Sequence, residues 1–166
     1  MPDNRMSGMN FNEPFPIPPA GASHLPSLGM LLNMVRSEMV RAIEAELSSQ
    51  GVDLSFTQFL ILKKAQLLGA VSATELARAV EIDGGAMTRQ LDQLERKGYL
   101  RRTPHAQDRR ALRIELTDTG HAVWKDTASV CSQRVITASQ RSLSELEQTQ
   151  LHDYLTRVLN ALRDKH

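Results

Sequence analysis

From Arg89 to Arg113 the chain carries eight Arg/Lys residues, at 89, 96, 97, 101, 102, 109, 110 and 113, against three acids at 92, 95 and 108. The remainder holds 12 basic and 16 acidic residues, so a chain of formal charge +1 concentrates its positive charge in one window. A guanidinium is a planar fork of N–H donors that matches phosphate oxygens and the paired acceptors of guanine. The window therefore has the chemistry to bind a polyanion, and duplex DNA is the candidate. Catalytic chemistry is not written in the chain. Its five histidines, at 24, 105, 121, 152 and 166, lack the i, i+4 pairing and nearby carboxylates of a metal site. There is no P-loop, dinucleotide-binding glycine fingerprint or nucleophile elbow. The single cysteine, Cys131, excludes an internal disulfide and a cysteine-based zinc site. No metal, cofactor or enzymatic activity is expected.

Those cations need elements to hold them. Ser72 and Glu75 form a capping-box pattern that starts a short helix over 73–80 and turns Leu76, Ala77 and Val80 inward. Residues 81–84 connect it to a second helix, capped by Asp83 and ended by Gly98, with Met87, Leu91 and Leu94 on its inner face. Gly84 and Gly85 leave the start of that helix open to another surface. Residues 99–103 read as a strand, 104–110 as a loop and 112–116 as a second strand with two-residue alternation. This is the order of parts in a winged helix-turn-helix.

Upstream, apolar residues at 28, 31, 32, 35, 39, 43 and 47 predict a helix of about twenty residues ending at Gly51. Ser55 with Gln58 caps another, whose apolar residues Phe59, Leu60, Leu62 and Leu67 lead to Gly69. Downstream, Thr117 caps a long helix with Val123, Trp124, Val130, Cys131, Val135 and Ala138 as its buried stripe. A last helix starts near Ser142 or Ser144 and runs through Leu162. The outer helices carry more apolar surface than a reading domain of some sixty residues can cover, which predicts a homodimer.

The fold class expected is mostly α with a small β-hairpin wing. A winged helix-turn-helix DNA-binding domain occupies 55–117, and 27–51 with 118–166 form a long-helix dimerisation domain. Residues 1–26 hold six of the seven prolines and read as a proline-rich arm, either disordered or packed on a partner subunit through Phe11, Phe15 and Ile17. No segment approaches the roughly 20 apolar residues of a membrane span, and the N-terminus lacks the apolar core of a signal peptide. A cytoplasmic location and no membrane partner are expected.

A recognition helix enters the major groove by its N-terminal part, so Gly85, Ala86, Thr88, Arg89, Gln90 and Gln93 are the positions able to meet base edges. Arg89 suits a bidentate contact to guanine. The two glutamines suit adenine or the DNA backbone, and Thr88 suits a thymine methyl or a phosphate. Ser72 and Thr74 stand at a helix N-terminus, where backbone amides favour a phosphate. Arg96, Arg101, Arg102 and Arg113 add charge for the backbone. Arg109, in the hairpin loop, is placed for a minor groove, where narrow A·T-rich segments concentrate negative potential.

The runs SATELARAV and MTRQLDQLERKGYLRR, and Asp108-Arg109-Arg110 followed by Leu112, Ile114, Leu116, Thr117 and Gly120, resemble the multiple-antibiotic-resistance regulator (MarR) family, with its D-x-R turn and L-T-x-x-G. The likeness extends over about 28–164 and is strongest over 72–120. It implies a triangular homodimer of winged helix-turn-helix chains that represses genes and releases double-stranded DNA when a small, often phenolic or oxidising, molecule arrives. It also implies that Asp108 and Arg110 structure the wing, and that an effector pocket lies where reading and dimer domains meet. Matching positions for that pocket are Met34, Ser37, Phe59, His121 and Trp124, with His24 closing it from the arm. Two other readings stand beside this one. Cys131 is a candidate redox sensor, although the family's peroxide sensors carry their cysteine near the first helix, where this chain has none. The basic face could also engage an acidic protein instead of DNA.

Overall fold

Three helices begin at reciprocal capping boxes. Ser55 with Gln58 opens α2 (Phe56–Leu68), Ser72 with Glu75 opens α3 (Ala73–Val80), and Ser144 with Glu147 opens α7 (Glu145–Arg163). In each, the serine hydroxyl accepts from the backbone N–H three residues on, and that residue's side chain accepts from the serine N–H, so two orphan donors are satisfied at once. Asp83 caps α4 (Gly84–Arg96) by accepting from the Ala86 N–H at 2.8 Å. Gly51, Gly69 and Gly98, expected as helix stops, all have positive φ.

The computed structural model describes residues 26–104 and 112–164, so the arm up to residue 25 and the tip of the hairpin lie outside the described residues. The chain divides into two units, 1–35 and 36–166. The described part of the first contains the opening turns of α1 (Leu28–Ser49), where Leu28, Met30, Leu31 and Leu32 are exposed. In the second unit α1 buries Ile43 and Leu47 in a core shared with Phe59, Ile61 and Leu62 of α2, Leu76 of α3 and Met87, Leu91 and Leu94 of α4. Helix α3 packs on both α2 and α4. The turn between α3 and α4 passes through Glu81 in the left-handed region, at φ 59°.

The hairpin strands are β2 (Leu100–Pro104) and β3 (Leu112–Leu116), paired antiparallel with Leu100 opposite Leu116. A third strand, β1 (Val71–Ser72), pairs with the other edge of β3 and runs directly into the cap of α3. Sequence patterning misses β1 because alternation cannot register in two residues. Its effect is mechanical: the wing and the helix-turn-helix share one sheet.

The helix after Thr117 departs from the expected uninterrupted form. It consists of α5 (Asp118–Ala122), a π-helical stretch Val123–Ala128 and α6 (Ser129–Gln140). A π turn takes in an extra residue and so retards the phase of every side chain beyond it. Val130 and Ala138, expected in the buried stripe, are exposed, whereas Ala128, Cys131 and Ser132 are buried. Leu67 is also exposed, two residues beyond the buried Ala65 and on the far side of α2. Helix α7 buries none of its residues. Among the described residues, no helix is long and apolar enough to cross a membrane.

Candidate nucleic-acid interface

Helix α4 is held by Met87, Leu91 and Leu94, which are all but fully buried, and this fixes what its other faces present. Gly85, Thr88, Arg89, Asp92 and Arg96 are exposed, Ala86, Gln90 and Gln93 half-buried. The Thr88 hydroxyl donates back to the Gly84 carbonyl at 2.9 Å, so its proton is used within the helix and its methyl group and lone pairs are what it offers outward. The Gln93 carbonyl oxygen is also engaged, accepting from the Gln58 amide at 2.7 Å. The oxygen of Gln90 is covered and has no hydrogen-bond partner among the described residues.

An acid, Asp92, stands among the cations of α4. Arg102 on β2 neutralises it, with a guanidinium nitrogen 2.6 Å from the Asp92 carboxylate and another bonded to Glu95. Arg102 is only 25% exposed, so it braces the wing against α4 more than it projects into solvent. Arg101 pairs with Glu115 at 3.0 Å, and Thr103 donates to the same carboxylate. That carboxyl is held below its usual range first by the Thr103 hydroxyl and then by Arg101. Arg113 donates to the Ala70 carbonyl at 2.6 Å, just ahead of β1. The strand arginines therefore have internal partners as well as charge to offer.

The start of α3 is also engaged. The Ser72 hydroxyl accepts from the Glu75 N–H and donates to the Glu75 carboxylate, whose pKa is lowered chiefly by that hydroxyl. An anion thus already occupies the end where a phosphate is expected, and Thr74 is the exposed residue beside it. Asp108, Arg109 and Arg110, and His24, lie outside the described residues.

Of the positions named for an effector, the structure brings Phe59 and Trp124 together with ring centroids 5.6 Å apart, and Phe56 stacks on Phe59 at 5.8 Å. His121 contacts Gln66 at 2.7 Å through Nδ1. Ser37 is half-buried on α1, and Met34 is exposed within the first unit. Cys131 is buried, and burial pushes its thiol pKa up, so it packs rather than presenting a thiolate.

The comparisons with known proteins agree with this geometry. A family model described as "MarR family" matches residues 54–112. The multiple antibiotic resistance protein MarR of Salmonella typhimurium is 35% identical over 107 residues, 64% of this chain and 70% of that protein. MarR of Escherichia coli K12 is 30% identical over 132 residues, covering 80% of this chain and 90% of that one. The chain belongs to the MarR family. It is a transcriptional regulator with the winged helix-turn-helix fold, and its relatives are named as regulators, not enzymes. Among solved structures, a mutant of Escherichia coli MarR complexed with operator DNA matches with TM-score 0.70 and 29% identity, over 80% of this chain and 93% of that one.

Within the MarR family's L-T-x-x-G signature each residue now has a physical task. Leu116 is core, and the Thr117 hydroxyl accepts from the Gly120 N–H at 3.0 Å while donating to the Gly98 carbonyl at 2.6 Å. A Cβ on Gly120 would stand 1.8 Å from the Tyr99 carbonyl oxygen, so only glycine lets α5 lie against the end of α4 and the start of β2.

Proposed function

We propose that this regulator is a cytoplasmic homodimer that represses transcription by binding a pseudo-palindromic operator and leaves it when a small aromatic or phenolic molecule binds. The observation that carries the reading is the outward face of α4, with Thr88, Arg89 and Arg96 exposed on a helix anchored from behind. Arg89 would take guanine in the major groove, Thr88 a thymine methyl, and Arg101, Arg113 and Thr74 the backbone. Arg109, shaped by Asp108 and Arg110, would enter the minor groove. Residues 55–117 act as the reading domain on this account.

The dimer is supported by α7, along which Leu146, Leu151, Tyr154, Leu155, Leu159 and Leu162 are exposed and none is buried. Such a face gains by meeting a second copy. Residues 27–51 and 118–166 form that dimerisation domain. The effector would bind near Phe59, Trp124 and His121, where Trp124, within the π-helical stretch, packs against Phe59. Gel shifts with the DNA upstream of the chain's own gene test the reading. Retention at moderate salt that is reversed by small aromatic acids or aldehydes is expected, and no sequence-specific retention would overturn it.

A further inference from the structure

Gln58 is a polar residue 3% exposed within an otherwise apolar core, and its two ends are assigned by their neighbours. Its oxygen receives the Ser55 backbone N–H at 3.3 Å and the Lys97 ammonium at 3.2 Å. Both are obligatory donors, so that end of the amide must be the acceptor. Lys97 is itself pinned by the backbone carbonyl of Asp53 and by its carboxylate at 3.1 Å. The opposite end of Gln58 is therefore the NH2, and it meets Gln93 on α4 at 2.7 Å. Only an acceptor can answer it. The oxygen of Gln93 is forced inward and its NH2 outward.

We infer that Gln58, buried on α2, sets the base preference of the recognition helix by holding the oxygen of Gln93 inward, so that Gln93 presents its NH2. A free glutamine reads adenine by offering both an acceptor to N6–H and a donor to N7. With its oxygen turned inward and its NH2 outward, Gln93 reads adjacent acceptors, which in the major groove means O6 and N7 of guanine. Gln58 is a positioning residue and Gln93 the reader. The inference rests on DNA binding through α4, and the test separates the two.

Duplexes are selected from a random pool with the wild-type chain, Gln93→Ala, Gln58→Glu and Gln58→Met, and thermal melting confirms that each variant folds. Loss of preference at one step in Gln93→Ala identifies the base pair that Gln93 contacts. The wild type is expected to favour guanine over adenine there by about fivefold or more. In Gln58→Glu the carboxylate still completes the capping box and still accepts from Lys97. It also accepts from Gln93, whose amide must then turn its NH2 inward and its oxygen outward. The guanine preference should fall by about fivefold or more in favour of adenine, while preferences at other steps stay as they were. Gln58→Met, which releases Gln93 without inverting it, should give an intermediate profile. Adenine at that step in the wild type, an unchanged profile in both Gln58 variants, or no step altered by Gln93→Ala would overturn the inference while DNA binding stands. A wild-type chain that enriches no sequence would overturn both.

Discussion

Arg102 stands between two carboxylates, and its removal is expected to cost more than the loss of one cation. Arg102→Met would expose Asp92 and Glu95 beside the phosphates, so binding to specific and random duplexes should weaken together, and further than in Arg101→Met. Equal losses in the two variants, measured by fluorescence anisotropy, would contradict that role. Arg89 is exposed on the outward face of α4 and should behave differently. Arg89→Ala should lose roughly 1–3 kcal/mol on the selected sequence and little on random DNA. Cys131→Ser should leave any peroxide response of DNA binding unchanged, because the thiol is buried and held in its neutral form. The helix and its buried face were legible in the sequence, but the hydrogen bonds made by its polar side chains were not. The bond that turns the oxygen of Gln93 inward comes from a residue 35 positions away, and no local pattern announces it.

Among elements, the junction of α5 with the wing is the least forgiving. Gly120→Ala places a methyl against backbone atoms of Tyr99 that cannot rotate aside, and it should destabilise the fold by about 1–3 kcal/mol or more in urea unfolding. The helix starts respond to acid. Glu75, Asp83 and Glu147 are ionised caps with lowered pKa values, held by Ser72, by the Ala86 N–H and by Ser144 respectively. A carboxyl whose folded pKa lies below its unfolded value stabilises fully above the ordinary carboxylate range, and loses that contribution as pH falls through the folded value. Thermal stability should therefore vary little with these groups from neutral pH to about pH 5 and decline below about pH 4. A midpoint that rose on acidification would contradict it. These starts could be read from sequence because a capping box needs two polar residues at fixed spacing. The buried phase of α6 could not, since it is set by the π-helical stretch Val123–Ala128 before it, and hydrophobic periodicity read at 3.6 residues per turn does not register such a stretch.

At the scale of the molecule, a nearly neutral chain gathers its positive charge on one helix and the strands that follow it, and leaves the leucines of α7 exposed. If two copies present two such faces and neutralise roughly six to ten phosphates, log affinity should fall with log salt at a slope of about −5 to −9. Twofold symmetry in the protein then demands twofold symmetry in its target. Selection of duplexes from a random pool by the wild-type chain measures this most directly. The expected result is an inverted repeat whose half-sites lie about 10 base pairs apart, centre to centre. Recovery of a single asymmetric half-site bound by one chain, or of no preferred sequence at all, would contradict it.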